Sequence, residues 1–175
     1  KADHFVFDKT GTLTEPSFDP DAVEVHRGTL DEALAIAAAL EQGNTHPLAI
    51  ALRRTAVNAP SLTASSLRQI SGSGVEGAIG GIHYRLGRRE FCNLDSADVA
   101  TDTSDSLILT DSKGVIAHFP MQEKLRPGVA AQIQFLQRRG IACEILSGDS
   151  ESRVASVARL LNIKQTMARA TPADK

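Results

Sequence analysis

The sequence predicts an α/β protein: a parallel sheet with helices, made from both chain ends, interrupted by an α+β domain whose sheet is antiparallel. Three observations predict it. A short apolar run, HFVF at His4–Phe7, stops at a polar turn that begins with Asp8. The last third of the chain alternates strand-like and helix-like segments. Between about Pro20 and Phe119 that alternation gives way to two helices and a series of short strands punctuated by glycine. The expected boundaries are residues 1–19 with 120–175 for the discontinuous domain and 20–119 for the inserted one.

Each element has its own reason. His4–Phe7 is rich in aromatic and β-branched residues and is bounded by DKTGT, which fits a central parallel strand with Asp8 at its carboxyl end. Helices are expected over Asp31–Gln42 and Pro47–Asn58. SLRQIS, VEGAIG, IHYRLG, DSLILTD and GVIAHF read as strands, with Gly80-Gly81 and Ser112-Lys113-Gly114 suited to tight hairpin turns. Pro127 opens the amphipathic stretch VAAQIQFLQRRG, in which Val129, Ile133 and Leu136 share a face. Proline at the first helical position and a glycine, Gly140, just past the last are the usual punctuation. ACEIL at Ala142–Leu146 reads as a strand, SGDS as its loop, ESRVASVARLLNI as an amphipathic helix and QTMARA as a further strand. Such alternation implies a parallel sheet whose ligands bind beyond the carboxyl ends of the strands. DKTGT and SGDS both lie at such ends.

Bulk properties exclude several classes. The chain of 175 residues is 42% hydrophobic and 23% charged, enough to bury a core. A net charge of −2 lacks the basic excess that nucleic-acid binding needs, so no nucleic-acid partner is expected. Cys92 and Cys143 stand far apart with no CxxC or Cys-His pairing, and read as two reduced thiols. The longest apolar run, ALAIAAAL, falls well short of the roughly 20 residues that cross a bilayer, and no signal-peptide pattern opens the chain. The chain starts almost on a strand and ends at PADK with no closing element, as expected of a piece cut from a longer protein.

The chemistry of DKTGTLT, Asp8–Thr14, follows from its parts. A carboxylate is a weak nucleophile, yet beside Mg²⁺ it can attack a phosphoryl group and form an acyl phosphate, dividing one transfer into two steps. Asp8 is the candidate nucleophile. Charge on the transferring group must be neutralised by a metal, by backbone amides in a tight loop and by a cation. Gly11 lets the backbone turn closely, Thr10 and Thr12 add hydroxyl or carbonyl ligands, and Lys9 lies in the same turn. Asp8 and Thr10 are the metal-binding candidates. A plain polar turn after a strand draws on the same residue types.

As a whole, DKTGTLT resembles the phosphorylation signature of P-type ATPases, the cation pumps of the haloacid-dehalogenase superfamily. The other motifs follow in that family's order over nearly the whole chain. THPLAIAL around His46 and Pro47 resembles the His-Pro motif of the heavy-metal branch, and SGSGVEG at Ser71–Gly77 its glycine-rich nucleotide loop. LSGDS at Leu146–Ser150 resembles the TGD loop, and TPADK the lysine motif that ends at Lys175. The resemblance implies a haloacid-dehalogenase-like phosphorylation domain, incomplete at its C-terminus, with an inserted nucleotide-binding domain and with ATP and Mg²⁺ as cofactors.

Roles for the matched residues are implied in turn. Ser147, by hydroxyl and amide, and the Gly148 amide would hold phosphoryl oxygens at a helix N-terminus. Lys175 would set a positive charge beside Asp8. Asp149 would orient nucleotide or metal-bound water, with a helix N-cap an equally good reading of the Asp or Ser at that point. His46 would stack on or hydrogen-bond to adenine, with Pro47 fixing its backbone, and Glu41 matches the acidic position used for the adenine amine. Gly72 and Gly74 would let the chain pass close to base or phosphates.

The departures are as specific. Ser147 stands where the family carries Thr, keeping the hydroxyl. Gly87-Arg88 stands where heavy-metal pumps carry Gly-Asn, and Arg88 becomes a candidate phosphate contact. Glu123-Lys124-Leu125-Arg126-Pro127 replaces Asp-x-x-Arg-Pro, leaving Arg126 as a hinge or nucleotide contact or a surface ion-pair residue. The acidic GDGxNDxP loop expected after the lysine motif, the actuator domain and the membrane helices that choose the ion all fall outside the chain, so this piece is expected to bind ATP, to accept little or no phosphate and not to hold the transported metal. The parent pump would place it at the cytoplasmic face of a membrane, with the remaining pump domains as its partners. Copper, zinc and cadmium pumps are resembled as a group, and the SGD and GVEG variants are similar to bacterial copper pumps. Two other readings stay open: a self-standing phosphatase, against which position 10 is Thr and not the usual second acid, and a nucleotide-binding module without catalysis.

Overall fold

The structure, a computed structural model, describes residues 3–92 and 106–171. In chain order its elements are β1 (His4–Asp8), β2 (Thr14–Phe18), β3 (Glu24–Val25), α1 (Leu30–Leu40), α2 (Pro47–Thr55), β4 (Ser65–Ile70), β5 (Gly74–Ile79), β6 (Ile82–Gly87), β7 (Ser106–Asp111), β8 (Gly114–Leu125), α3 (Val129–Arg138), β9 (Ala142–Leu146), α4 (Glu151–Leu161) and β10 (Gln165–Met167). The chain divides into two compact units, residues 1–15 with 123–175 and residues 16–122. No helix among the described residues is long and apolar enough to cross a membrane.

The first unit holds a parallel sheet in the order β1-β9-β10. β1 pairs with β9 from His4 opposite Ala142 to Asp8 opposite Leu146, and β10 pairs with the other edge of β9. Its core is built by Leu13, Ile133, Ile145, Val154 and Leu161, from a loop, two helices and the middle strand. Full burial of each such side chain contributes roughly 2 kcal/mol, and it pins the loop after β1 because Leu13 belongs to that loop.

Two expectations are corrected here. β1 is not central: among the described residues it pairs only with β9, and Phe5 and Val6 remain exposed. An apolar run marks a strand, but neither its place in the sheet order nor how much of it the described residues cover. Nor is Pro127 the first helical residue. Gly128 takes a left-handed conformation, φ 83°, so helical backbone begins only at Val129.

The second unit is an antiparallel sheet in the order β2-β8-β7-β6-β5-β4, with β3 pairing on β8. Gly80 and Gly81, at φ 58° and 80°, form the two-residue turn between β5 and β6, the geometry that matches the strand twist. α1 starts in a capping box between Thr29 and Glu32, which satisfies amides left without helical partners. Leu34, Leu40, Leu52, Leu86, Leu109 and Phe119 join helices and sheet in one core. β2, β3 and the extension of β8 past Phe119 were not expected. Pro16 and Pro120 lie within two of them, and proline forfeits a ladder donor and so argues against a strand.

Candidate functional site

In the first unit the geometry grows from the end of β1. The Lys9 carbonyl accepts from the amides of Leu13 and Thr14, each at 3.0 Å, and from the Thr14 hydroxyl at 3.2 Å. Gly11 N donates to Thr14 O at 3.1 Å, closing the turn. Leu13 and Thr14 are thereby buried, while Thr10, Gly11 and Thr12 stay exposed and Asp8 is half-buried. The signature loop leaves Thr10 and Thr12 exposed on a base pinned by these bonds.

β9 delivers the second loop to the same end of the sheet. Asp8 is in register with Leu146, so Ser147, the next residue, lies at the neighbouring strand end. Ser147 is 2% exposed. Its amide donates to Met167 O at 2.9 Å, and its carbonyl accepts from Ala170 N at 2.9 Å. That corrects one expected role: the Ser147 amide is committed to β10 and is not a phosphate donor. Its hydroxyl oxygen accepts from Asp149 N at 3.2 Å and keeps its own proton to donate. Gly148 is exposed, and a Cβ there would come 3.3 Å from Ala170 O.

Lys9 and Asp149 are used differently from what their motifs suggest. Lys9 is wholly buried, its ammonium held between Glu123 and Asp149, with Asp149 Oδ2 at 2.7 Å. Asp149 Oδ1 accepts from Ser150 N at 2.7 Å, and Ser150, not Asp149, is the N-cap of α4. Burial opposes ionisation of Asp149, but Lys9, by hydrogen bond and charge, and the Ser150 amide outweigh it and hold the carboxyl below its ordinary value. Arg126 Nη1 donates to Gly11 O at 2.6 Å and Arg126 N to Leu13 O at 2.9 Å. It clamps the signature loop within the first unit, whereas the other nucleotide candidates belong to the second. Lys175 lies outside the described residues.

The second unit assembles those other candidates from the end of α1. Glu41, the C-cap of α1, is buried; burial raises its pKa above 4.5, against the Asn44 hydrogen bond and the charges of Arg53 and His46. Asn44 Nδ2 donates to Glu41 Oε2 at 2.6 Å, while Asn44 Oδ1 accepts from His46 N at 2.9 Å. Arg53 donates to the carbonyls of Glu41 and Asn44. His46 is the N-cap of α2, with Pro47 the first helical residue; its Nδ1 accepts from Leu48 N at 3.3 Å. A neutral imidazole used this way carries its proton on Nε2, so its exposed edge is a donor. Asn44 and Arg53 were missed, although Asn two residues before a helix cap is a recognisable turn signal.

The glycine loop divides into two kinds of position. Gly72, at φ 75°, has open space where a Cβ would be. At Gly74 a Cβ would stand 2.4 Å from Leu86 O and 2.8 Å from Gly87 Cα. Its restriction is the facing strand β6, not space reserved for a ligand, which corrects the expected reason for that glycine. Arg88 N donates to Ser73 O at 2.9 Å, tying the exposed Arg88 to the loop. At the end of α1, Leu40 Cδ2 lies 3.2 Å from the Cβ position of Gly77 on β5, so the Glu41 helix end packs over the strand that the glycine loop opens.

The haloacid dehalogenase-like hydrolase profile matches residues 2–174, and the chain belongs to that family. Its relatives narrow the class. It is 36% identical over 179 residues to the probable copper-transporting ATPase SynA of Synechococcus elongatus, covering 98% of this chain and 23% of that protein. To the nitrogen fixation protein FixI of Bradyrhizobium diazoefficiens it is 35% identical over 179 residues, covering all of this chain and 24% of that protein. Among solved structures, a zinc-transporting PIB-type ATPase matches 99% of this chain and 30% of its own with TM-score 0.75 and 30% identity. The catalytic CPx-ATPase domain CopB-B matches 99% and 63%, with TM-score 0.65 and 28% identity. The fold is thus that of PIB-type ATPase catalytic domains, and the chain spans about a quarter of the length of these curated relatives.

Proposed function

We propose that this chain is the ATP-binding and phosphoryl-accepting part of a heavy-metal P-type ATPase, which hydrolyses ATP through an aspartyl phosphate at Asp8 to drive metal transport. Copper is the favoured cargo because SynA is named for copper transport; zinc and cadmium are the alternatives. The observation that carries the reading is the register of Asp8 with Leu146, which sets the candidate nucleophile beside the Ser147–Asp149 loop. The remainder of the pump is the proposed partner, and the cytoplasmic face of a membrane the proposed location.

In this reading ATP lies on the second unit, with the Nε2–H edge of His46 and the Glu41 carboxyl toward adenine and Gly72 and Arg88 beside the loop. Asp8 attacks the terminal phosphorus, the Asp8–phosphorus bond forms and ADP leaves. The Ser147 hydroxyl and the Gly148 amide hold phosphoryl oxygens. Asp8 and the Thr10 carbonyl are hard oxygen donors, which fit Mg²⁺; when bound, the ion neutralises charge on the transferring group. Lys9 is engaged by Glu123 and Asp149, which favours Lys175 of the lysine motif as the cation beside the phosphate. Thr10, standing where phosphatases of the family carry a second acid, favours a lasting acyl phosphate over prompt hydrolysis.

Titration of the chain with ATP, followed by calorimetry and amide shifts, tests the nucleotide half: His46→Ala should weaken binding, and undiminished affinity argues against the pocket. In the longer protein, hydroxylamine-sensitive label from γ-labelled ATP should vanish in Asp8→Asn.

A further inference from the structure

Glu24, His26 and His118 converge on one face of the second unit's sheet, and none of the three belongs to the site motifs described above. The antiparallel register sets Glu24 opposite His118 and Val25 opposite Ala117, and His26 N continues the pairing by donating to Ile116 O at 2.8 Å. Residues two apart on a strand share a face, so Glu24 and His26 both stand beside His118, one directly and one diagonally. The two imidazole centroids are 4.8 Å apart with rings tilted by 60°. Glu24 Oε2 lies 3.6 Å from His118 Nδ1, and one ligand atom from each of the three residues falls within 4.8 Å of the others.

Burial separates this cluster from a chance surface grouping. His118 is only 2% exposed, yet among the described residues neither ring nitrogen has a hydrogen-bond partner. A buried polar group left this way costs roughly 1–3 kcal/mol, and a core histidine kept only for packing would bond at least one nitrogen to a neighbour. Desolvation, then the charge of His26, push its pKa below 6.5, with Arg89 acting the same way and Glu24 opposing.

We propose that Glu24, His26 and His118 bind one divalent cation of the zinc class through two imidazole nitrogens and one carboxylate oxygen, with a fourth position open. Two imidazoles and a carboxylate are a donor set for borderline transition metals, not for Mg²⁺ or Ca²⁺, which prefer oxygen throughout. Zinc–ligand lengths set tetrahedral donors about 3.3 Å apart, so the present spread must tighten by about 1.5 Å. Glu24 and His26 are exposed and β3 is two residues long, so the tightening falls on them and His118 stays seated. The bound ion satisfies the buried ring and ties β3 to β8, and because it binds the folded state it raises thermal stability.

The test is titration of the 175-residue chain with ZnCl₂, read by calorimetry, melting temperature and imidazole ¹⁵N shifts. One equivalent should bind, the His26 and His118 signals should shift together, and the melting temperature should rise. His26→Ala and Glu24→Gln, both at exposed positions, should each weaken affinity about tenfold or more with circular dichroism unchanged. They carry the decision because His118→Phe alters the core. Wild-type affinity in both variants, or zinc binding that leaves both imidazole signals in place, overturns the site. An equal response to MgCl₂ overturns the metal class.

Discussion

Lys9 Nζ lies 2.7 Å from Asp149 Oδ2, joining the signature loop after β1 to the loop after β9 by an ion pair whose lysine is wholly buried. Glu123 holds the same ammonium from a third segment. Lys9 is thus the charge that assembles the strand ends around Asp8.

Lys9→Met removes that charge and leaves two carboxylates facing each other. Breaking one side of a buried ion pair costs about 3–5 kcal/mol. Glu123 and Asp149 keep some contact with water, so a loss of about 3 kcal/mol is expected, read from urea unfolding at pH 7. An unchanged midpoint would contradict the ion-pair role.

The same pair sets a pH dependence. Asp149 is held below its ordinary 3.8 in the fold, so its stabilising contribution is present above that value and is lost as pH falls through the lowered folded pKa. The stability difference between the wild type and Asp149→Asn should be full at pH 7 and shrink below about pH 4.

Glu41 carries the opposite sign. Burial raises its pKa above 4.5, so its contribution is present below that value and is lost as pH rises through the raised folded one. Glu41→Gln should therefore unfold at higher denaturant than the wild type at pH 7, with the gap closing toward pH 4.5. ATP affinity should fall in the same variant, since a carboxyl offered to the adenine amine is replaced.

Arg126→Ala deletes the hydrogen bond to Gly11 O. Because Arg126 is exposed, the cost should be about 1 kcal/mol or less, and the clearer signature is faster hydrogen exchange at Gly11, Leu13 and Thr14. Unchanged ATP affinity is expected if its work is confined to that loop; a marked drop would restore it as a nucleotide contact.

Gly74→Ala and Gly72→Ala should separate packing from access. At Gly74 a Cβ collides with β6, and the strain should cost about 2–3 kcal/mol. At Gly72 the space is open and only the left-handed backbone is penalised, by about 1–2 kcal/mol, so an affinity loss beyond the stability loss there would report contact with the nucleotide.

Local features were legible in the chain before any fold was known: a strand ending at Asp8, the glycine hairpin between β5 and β6, the Pro47 helix start and the βα alternation after α3. Those depend on periodicity and turn chemistry within a few residues. The candidate nucleophile was legible for the same reason, because a seven-residue motif is local. Other features emerged from the folded chain alone: among the described residues β1 pairs only with β9, Lys9 is a buried counter-ion 114 residues from Glu123, the Ser147 amide is spent on β10, and His118 meets Glu24 and His26. Each depends on which segments pair and what they bury, and long-range register is set by the summed packing of a whole core, which no short window of sequence contains.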